Sequence, residues 1–523
     1  MENRKKEIFI ILTVLIIQTI IYVLCGIQKS YIHMDEAYSM GLTHYERVEI
    51  QDNTNFYNQW HNKTYYEQYL SVQEDESNDY RPIYENQKND VHPPLYYLLL
   101  RLAMNFTKNH FSKWPGIILN ILIYLFITLF TYQILKKLFA SQTKSKEKAI
   151  ALAFISSISI ASLTNVIYIR MYALSTLNIL ITTFLHMKLL EEEKINMPLF
   201  LSIGISALVG SLTHYYYLLY LGMLYIVFAL KYLRQRHFKK FMYYTLTMLI
   251  TAVISLTIFP YSIQHMFFGY RGQGVIYQLS NLSKFLINIL LYLWKISYYG
   301  FHNLLWIILI LLLSFIIYKK SKRIVSTIPK NKYIMIIAIP TMFYFLIVAM
   351  ASPWIELRYM LPIYPLLFIL VIYGLFILLN SIRNKKITMT IFSILLLLFL
   401  LTPIIFKIEP EVLYRDKKEI VQQLENEFNL PTLYLLNTSN NRFLDDIFLF
   451  SKIEESYIAK DLDDSVDAIK SILNGKDISN GIVVFINEGY SQDTLLKRIH
   501  QATSLKKCRH LKRLNACDVY YFH

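Results

Sequence analysis

Residues 8–27 read IFIILTVLIIQTIIYVLCGI, a run of twenty residues without a charged side chain. A helix needs roughly 20 apolar residues to cross the hydrocarbon core of a membrane. The run follows Arg4, Lys5 and Lys6, as the apolar part of a signal peptide would. It is about twice as long as that part, however, and it lacks a small-x-small cleavage site. The stretch therefore predicts an uncleaved first transmembrane helix.

The whole chain has the composition of a protein with many such helices. It has 523 residues, of which 54% are hydrophobic, and its mean hydropathy is +0.34. Soluble domains of this size are less apolar. The formal net charge of +16 is typical of a membrane protein with basic cytoplasmic loops and lipid contacts, so we expect a lipid bilayer and no nucleic acid as partner.

The cysteines set few constraints. There are three of them, too few for a disulfide framework or a zinc site. Cys508 and Cys517 could pair if their domain is extracytoplasmic, and the sequence leaves this pairing open.

Eleven apolar segments are candidates for membrane spans. Their approximate bounds are 8–27, 116–135, 149–168, 171–190, 198–213, 216–233, 240–260, 301–318, 333–351, 359–379 and 387–406. Lysines and arginines concentrate at the N-terminus and in the loops near 136–148, 188–197, 231–240, 319–332 and 380–386. The opposite short loops carry only Arg170, Arg271, Lys284, Lys295 and Arg358. Because basic loops stay in the cytoplasm, the N-terminus is predicted to be cytoplasmic and the C-terminus, after an odd number of spans, extracytoplasmic.

This topology makes residues 28–115 a large first external loop. Within it, PPLYYLLLRLAMNF (93–106) is too short to cross and predicts an interfacial helix along the outer leaflet. After residue 406 the composition changes. TLYLLNT, GIVVFINEG and DVYYF have the pattern of short strands, and DDSVDAIKSIL has that of a helix. The prediction is a transmembrane domain over 1–406 and a small extracytoplasmic α/β domain over 407–523.

The cores of the eleven segments contain no Asp, Glu, Lys or Arg. Ion-coupled transporters and channels usually keep ionisable groups near the middle of the membrane. The absence of such groups argues against transport as the main activity. The ionisable groups of interest lie instead at the predicted outer ends of the segments.

Five motifs share that predicted outer side. They are HMDEAYS (33–39), DVHPPLYYLL (90–99), IRMYALS (169–175), LTHYYYLL (212–219) and WIELRYMLPIYPLL (354–367). Transfer of a sugar from a phosphate carrier needs one carboxylate as general base and cationic donors on the leaving phosphate. A phosphate leaves without a second, protonated carboxyl, which a hydrolase would need. One carboxylate cluster with external arginines is therefore sufficient for displacement with inversion.

Together the motifs resemble the GT-C class of membrane glycosyltransferases that use polyprenyl-phosphate sugars. The nearest branch, glycosyltransferase family 39-like, contains the protein O-mannosyltransferases and the bacterial aminoarabinose transferase of lipid A. The resemblance covers roughly residues 1–406, and the Asp-Glu pair and HPPLYYLL are its most specific parts. It implies an all-α membrane domain of about eleven transmembrane helices, to which the sequence adds the small C-terminal α/β domain.

The resemblance also implies roles for individual residues. Asp35 would be the catalytic base with Glu36 as its catalytic neighbour, and Arg170 and Arg358 would bind the lipid phosphate. Because adjacent residues do not share a face, we expect Glu36 to orient Asp35, bind a metal ion, or meet an amide or an arginine. Some members of the class hold a divalent metal ion and others do not. His92 stands where the aminoarabinose branch has a metal-binding carboxylate, so a zinc or manganese site made by His92 with Asp35 or Glu36 is a hypothesis and not an implied cofactor.

Each of these residues also has a plainer interpretation. Asp35 and Glu36 would then be solvated loop residues, and the two arginines would be anchors that reach the lipid head groups. His92 would order the helix that begins with two prolines. His214 is as well explained by a structural hydrogen bond as by a substrate contact. Three tyrosines lie close enough to the motifs to stack on a sugar: Tyr38, Tyr96 and Tyr172.

The sequence thus predicts a membrane glycosyltransferase that works on the extracytoplasmic side. Richness in Ile, Lys and Asn fits an AT-rich bacterial genome, which makes undecaprenyl phosphate the expected carrier. The acceptor would be an envelope glycan, lipid or protein, contacted by external loops such as the polar stretch 40–90. The alternatives are a flippase or transporter of lipid-linked sugars and a non-catalytic membrane scaffold, for which the outer motifs would be scattered.

Overall fold

The structure is a computed structural model of the chain. It describes residues 2–44, 56–140, 142, 144–280, 284–321, 331–380, 385–427, 429–436, 443–461 and 465–523. Parts of the predicted polar stretch 40–90 and of the basic loops near 319–332 and 380–386 lie outside the described residues.

Helices make up most of the described chain. In chain order they are α1 (Glu2–Gln28), α2 (Met34–Gly41), α3 (Lys63–Leu70), α4 (Arg81–Asn89), α5 (Leu95–Met104), α6 (Trp114–Leu138), α7 (Ser145–Ser157), α8 (Ile160–Ile167), α9 (Tyr172–Glu191), α10 (Met197–Ser211), α11 (Tyr216–Arg234), α12 (Phe238–Ile258), α13 (Tyr270–Ser280), α14 (Phe285–Lys295), α15 (Leu304–Ser321), α16 (Ile334–Ala351), α17 (Tyr364–Asn380), α18 (Lys385–Ile405), α19 (Lys418–Glu425), α20 (Ile447–Phe450), α21 (Val466–Leu473) and α22 (Gln492–Thr503). The strands are β1 (Trp60–Asn62), β2 (Thr432–Leu436), β3 (Glu455–Lys460), β4 (Ile482–Asn487), β5 (Cys508–Leu514) and β6 (Cys517–Phe522).

The chain divides into two compact units. Unit 1 consists of Met1–Gly26, Gln87–Tyr96 and Ile117–Glu411, and unit 2 of Ile27–Asn86, Tyr97–Gly116 and Val412–His523. The predicted boundary at 407 lies near the start of the last segment of unit 2. The observed division differs from the predicted domains in the external loop 28–115. Most of that loop belongs to unit 2, together with the C-terminal residues.

Unit 1 contains the predicted membrane spans. Eight helices among the described residues are long and apolar enough to cross a membrane: Arg4–Gln28, Trp114–Leu138, Tyr172–Glu191, Tyr216–Arg234, Phe238–Ile258, Ile334–Ala351, Leu361–Leu379 and Lys386–Ile405. Two bent helix pairs raise the number to ten, and α10 is a shorter apolar helix. The fold class predicted for this part of the chain, an all-α domain with about eleven apolar helices, is confirmed.

The predicted span 149–168 is bent by 60° between α7 and α8. Ser159 caps α8 by accepting the amide hydrogen of Ser162, and the hydroxyls of Ser159 and Ser162 both donate to the carbonyl of Ser156. Side-chain hydroxyls thus compete with the backbone for hydrogen bonds at the bend. The pattern of apolar residues continues through the bend, so hydropathy alone did not reveal it.

The second bend, of 113°, separates Phe285–Gly300 from Leu304–Ser314. His302 and Asn303 have positive φ angles of 52° and 66° there, a backbone conformation that stops a right-handed helix. The His302 ring accepts the amide hydrogen of Ile160 through Nε2 and donates from Nδ1 to the carbonyl of Phe399 at 2.7 Å. These hydrogen bonds hold the bend within unit 1.

Unit 2 is built on a six-stranded sheet with the order β1-β3-β2-β4-β6-β5. β2 is parallel to β3 and β4, whereas the β1–β3, β4–β6 and β5–β6 pairs are antiparallel. β2 and β4 are buried along their whole length, as expected for central parallel strands covered by helices. α21 and α22 supply apolar side chains to that core. The predicted small α/β fold is confirmed, with strands where TLYLLNT, GIVVFINEG and DVYYF predict them.

The sheet explains why the first loop belongs to unit 2. β1 lies in that loop and pairs with β3 at the edge of the sheet. The Trp60 indole donates to the carbonyl of Ile472 at 3.1 Å, and the hydroxyls of Tyr66 and Ser456 lie 2.7 Å apart. The same sheet separates the two C-terminal cysteines, because Cys508 faces Phe522 whereas Cys517 faces Leu514. Both cysteines are free, so the disulfide considered from the sequence does not form here.

Candidate active site

The Asp-Glu pair opens the short helix α2 in unit 2. His33 precedes the helix and caps it, since its Nδ1 accepts the amide hydrogen of Asp35 at 3.0 Å. The Asp35 side chain is 18% exposed. A carboxylate in the first turn of a helix is stabilised by the amide dipoles that point toward it. The structure thus places Asp35 as a partly accessible carboxylate on a defined helical turn.

Glu36 has a different environment. Its Oε2 accepts from the Lys29 Nζ at 2.9 Å, and neither side chain of this pair is exposed. The same oxygen accepts the backbone amide hydrogen of His33 at 2.8 Å, which completes the capping box of α2. Sequence reasoning grouped Glu36 with Asp35 as catalytic, but in this arrangement Glu36 is closed to a substrate. Lys29, its partner, was missed because a lysine just after a span has the pattern of a solvated residue.

Apart from Tyr38, the other predicted site residues lie in unit 1. Arg170 lies in the turn between α8 and α9. The Arg170 amide donates to the carbonyl of Tyr168 at 2.7 Å, and the Asn120 side chain donates to the same carbonyl at 2.7 Å. The rings of Tyr168 and Tyr172 stack at 5.9 Å with an angle of 8° between them. The turn therefore presents two tyrosine rings with an arginine between them in sequence.

His214 lies in the turn between α10 and α11. Gly210 permits this turn, since a Cβ atom at that position would lie 2.3 Å from the Tyr217 ring. The His214 Nδ1 accepts the amide hydrogen of Tyr216 at 3.1 Å, so in the neutral ring the proton lies on Nε2. The ring centroid of His214 lies 5.5 Å from that of Tyr172. His214 is thus a neighbour of the predicted phosphate-binding turn.

His92 joins the same group. Its Nδ1 donates to Asp90 Oδ2 at 3.0 Å, which leaves Nε2 as the acceptor of the neutral ring. The ring centroids of His92 and His214 lie 6.1 Å apart. A backbone hydrogen bond of 3.0 Å from Leu95 to Leu212 ties the two segments together. Two imidazoles with opposite tautomers, one able to accept and one able to donate, therefore lie side by side.

The environment lowers the pKa of both imidazoles and so favours their neutral forms. Burial lowers the pKa of His92, the nearby positive charges of Arg170 and Arg271 add to the effect, and Asp90 opposes it. Burial lowers the pKa of His214 well below its usual range, and both His92 and Arg170 act in the same direction. The permanent positive charge in this group is therefore carried by arginine.

Arg358 reaches the group from the turn before α17. Its Nη1 donates to the hydroxyl of Tyr168 at 3.0 Å, and its guanidinium lies 5.3 Å from the centre of the Tyr359 ring. The Tyr359 and Tyr172 rings are 6.4 Å apart. The described residues of unit 1 thus bring five predicted site residues into one group, here called the histidine-arginine cluster: His92, Arg170, Tyr172, His214 and Arg358.

Tyr96 has another position. It is fully buried, and its hydroxyl lies 3.5 Å from the Asn120 side-chain oxygen. Tyr96 therefore shares Asn120 with the turn that carries Arg170. The half-buried Tyr38 lies in α2 of unit 2.

A further ion pair near the cluster was missed from the sequence. Lys295 Nζ lies 3.2 Å from a carboxylate oxygen of both Glu356 and Glu411. Burial raises the pKa of Glu411, and the neighbouring Glu356 acts in the same direction, while Lys295 and Arg358 oppose it. The only signal in the sequence was Glu356, two positions before Arg358 in WIELRYMLPIYPLL.

The described residues contain no group of three or more His, Cys, Asp or Glu side chains arranged to hold a metal ion. The hypothesis of a zinc or manganese site made by His92, Asp35 and Glu36 therefore gains no set of ligands, and Glu36 is already paired with Lys29. No chemical step below uses a metal ion.

Comparison with known proteins gives structural similarity only. No protein-family model matches the chain, and no curated protein matches it. Among solved structures, the chain is similar to ArnT from Cupriavidus metallidurans bound to undecaprenyl phosphate, with a TM-score of 0.49, 9% identity and coverage of 98% of this chain and 97% of that chain. For ArnT from the same organism in the apo state the TM-score is 0.47, again at 9% identity and with 98% and 97% coverage. Similarity of this size does not assign an activity, which has to be argued from the residues of this chain.

Proposed function

We propose that this protein is a GT-C-type membrane glycosyltransferase that moves a sugar from a polyprenyl-phosphate donor to a hydroxyl group of an extracytoplasmic envelope acceptor. The observation that carries the proposal is the histidine-arginine cluster, which combines permanent cations, neutral imidazoles and stacked tyrosines in one unit. A scaffold without catalytic function gives no reason for the four motifs of unit 1 to meet. The charge-free span cores likewise give no support to a transporter.

In the proposed reaction, Arg170 and Arg358 bind the donor phosphate. Guanidinium groups suit this role because they can donate two parallel hydrogen bonds to phosphate oxygens and stay charged. Negative charge grows on the phosphate as the bond to the sugar breaks, so these contacts strengthen in the transition state. His214, protonated on Nε2, donates to the sugar or the phosphate, and Tyr172 supplies an aromatic face for the sugar ring.

Asp35 is the general base in this proposal. It takes the proton of the acceptor hydroxyl while the acceptor oxygen forms a bond to the anomeric carbon. The bond between that carbon and the phosphate oxygen breaks, and polyprenyl phosphate leaves with the electron pair. Attack from the face opposite the phosphate gives inversion. The partial exposure of Asp35 and its fixed helical turn support this choice over the buried Glu36.

Mass spectrometry of cell-envelope glycans, lipids and proteins, with and without the gene, tests the proposal. We expect one sugar modification to disappear on deletion and to return with the wild-type gene, but not with the Asp35→Asn gene. An unchanged envelope would contradict a transferase role. Undecaprenyl phosphate, the lipid in the ArnT structure, is the carrier to test first with purified protein. Retention of that lipid by wild type and by Arg234→Ala, an exposed arginine control, but not by Arg358→Ala, would support the cluster as the phosphate site.

We also propose a multi-pass location in the cell membrane with a cytoplasmic N-terminus and an extracytoplasmic C-terminal domain. The distribution of lysine and arginine supports this orientation. A reporter that is active only in the cytoplasm should be silent when fused after His523, and strong signal would contradict the orientation. A metal ion on His92 is a separate hypothesis, and full turnover after exhaustive chelation would reject it.

A further inference from the structure

The turn that carries Asp35 is held by a fully buried ion pair. Lys29 Nζ donates both to Glu36 Oε2 at 2.9 Å and to the carbonyl of Val412 at 2.8 Å. Glu36 in turn accepts the amide hydrogen of His33, the residue whose ring caps the amide of Asp35. A continuous path of hydrogen bonds therefore runs within unit 2 from the chain at Val412 through Lys29 and Glu36 to the backbone of Asp35.

The segment 412–417 contacts the residues just before Asp35 in several further ways. The Ser30 amide donates to the carbonyl of Leu413 at 3.1 Å. The His33 ring stacks on the Tyr414 ring with an angle of 14° and a centroid distance of 6.4 Å. Tyr414 has a positive φ of 54°, so its backbone adopts a conformation that is costly for a residue with a side chain. These contacts place the segment directly against the approach to α2.

The sheet domain adds a second attachment through Tyr31. The Tyr31 hydroxyl donates to Asp446 Oδ1 at 2.9 Å, and the Asn515 side chain donates to the same oxygen at 2.6 Å. Lys417 Nζ lies 4.1 Å from the centre of the Tyr31 ring, within the range of a cation–π contact. Tyr31 and Asp446 are buried, and Asn515 and Lys417 are partly buried. Asp446 after β2, Asn515 in the turn between β5 and β6, and Lys417 before β2 thus fix the chain four residues before Asp35.

Packing alone does not require charges at this place. Removing two charges from water is costly, and apolar side chains of similar volume often replace a buried ion pair without loss of stability. A buried pair with defined hydrogen bonds does, however, select one geometry, because each charge has one set of partners that satisfies it. The Lys29–Glu36 pair therefore suits a role in fixing a position better than a role in adding stability.

We propose that Lys29 is a positioning residue, which together with the segment 412–417 holds Glu36 and thereby fixes the carboxylate of Asp35 for catalysis. The inference rests on the proposed function, in which Asp35 is the base. It gives the C-terminal part of the chain a role in the reaction without contact with substrate. Glu36 then acts as the link between Lys29 and Asp35 and not as a second base.

Steady-state kinetics of purified full-length variants test the proposal. Lys29→Met should lower kcat by at least about tenfold at saturating donor, since a displacement of 1 Å costs up to about 10²-fold, while KM for the donor stays within about twofold. Lys29→Arg keeps the charge and should restore most of kcat. The control is Lys63→Met, which removes an exposed ion pair to Glu454 in the same unit and should keep wild-type kcat. Equal kcat values for Lys29→Met and wild type would overturn the proposal.

A second measurement does not depend on activity. Hydrogen exchange of the amides of residues 33–41, followed in the full chain without substrate, should be faster in Lys29→Met than in wild type and in Lys63→Met. The double variant Lys29→Met with Glu36→Gln leaves no unpaired buried charge, so it should fold but keep the fast exchange and the low kcat. Wild-type exchange in Lys29→Met and in the double variant, or wild-type kcat in the double variant, would overturn the positioning role. Asp35→Asn with full turnover would instead reject the proposed base, while the exchange result would still decide whether Lys29 holds the turn.

Discussion

Two acid–base pairs of nearly equal length lie in the two units and differ in exposure. In unit 2, Lys29 and Glu36 are 2.9 Å apart and neither side chain is exposed. In unit 1, His92 and Asp90 are 3.0 Å apart, with side chains 20% and 12% exposed. The first pair has no face left for a ligand, whereas the second leaves the His92 Nε2 as an acceptor. Distance alone therefore does not distinguish a closed pair from one that is partly open to solvent, and burial does.

The largest effect is expected for Asp35→Asn, because Asp35 is the partly exposed carboxylate next to the buried Glu36. The substitution keeps the shape and removes the proton acceptor, so turnover should fall by roughly 10²–10⁴-fold, the usual scale of general-base catalysis, while donor binding survives. The control is Asp75→Asn, an exposed acid of the same unit. Wild-type turnover of Asp35→Asn in a donor-saturated assay would mean that Asp35 is not the base.

Arg358→Lys tests whether the guanidinium group of Arg358 binds the donor phosphate. Lysine keeps the charge but cannot form two parallel hydrogen bonds. Hydrogen bonds to charged groups contribute about 1.5–3 kcal/mol, so KM for the donor should rise about 10–100-fold, and Arg358→Ala should raise it further. Arg234→Lys, on the exposed last turn of α11, is the matched control. Unchanged donor kinetics in Arg358→Ala would remove this residue from the site.

Asp90→Asn tests the partly exposed pair of unit 1, which consists of His92 and Asp90. Asp90 opposes the lowering of the His92 pKa, so its neutralisation should lower that pKa further. If His92 works as the neutral acceptor, the acid limb of kcat/KM should move to lower pH, with a loss of only a few-fold at neutral pH. A pH–rate profile measures both effects. A shift of the acid limb to higher pH would contradict the assigned role of the pair.

Asp446 accepts a hydrogen bond from Tyr31 in unit 2, and its protonation should affect the stability of the fold. Burial, followed by the charge of Asp445, raises the pKa of Asp446 to about 7, although Tyr31, Lys417 and Asn515 oppose the shift. Between about pH 4 and pH 7 the folded chain then holds a proton that the unfolded chain has released. The free energy of unfolding should therefore fall as pH rises through this window, by at most about 1.4 kcal/mol per pH unit, and level off above it. Thermal unfolding of Asp446→Asn should lack this slope, whereas the exposed Asp467→Asn should keep it.

The smallest effect is expected from reducing agent. The pairing of β5 with β6 keeps Cys508 and Cys517 apart. Dithiothreitol should therefore leave the thermal midpoint and the gel mobility of the oxidatively purified protein unchanged. A mobility shift that disappears in Cys508→Ser would contradict the observed register of the two strands.

The apolar helices were predictable because their signal is local. A run of about 20 apolar residues such as that of α1 implies a span whatever surrounds it, and the buried strands β2 and β4 are likewise short apolar runs. The bend at His302 and Asn303 was not predicted, although Gly300 ends the helix that precedes it. Asparagine is merely more tolerant of positive φ than most residues.

Contacts that join distant parts of the chain were also missed. β1 has only three residues, too few for a periodic pattern, and it exists because β3 offers an edge. The motifs predicted which residues matter in the histidine-arginine cluster, but not that Asp90 orients His92. The Lys29–Glu36 pair was missed because hydropathy cannot show that a lysine after a span is buried.

The pairing of the first loop with the C-terminal sheet has a consequence for biosynthesis. Tyr66 contacts Ser456, 390 positions later in the chain. At about 5–20 residues per second, a ribosome needs roughly 20–80 s to make the intervening residues. During this interval β1 has no neighbouring strand, and the tyrosines and tryptophan around it have no core to enter. The loop therefore remains without its partner strand until β3 has been synthesised. A chain that stops before β3 would leave the loop that carries Asp35 without its sheet.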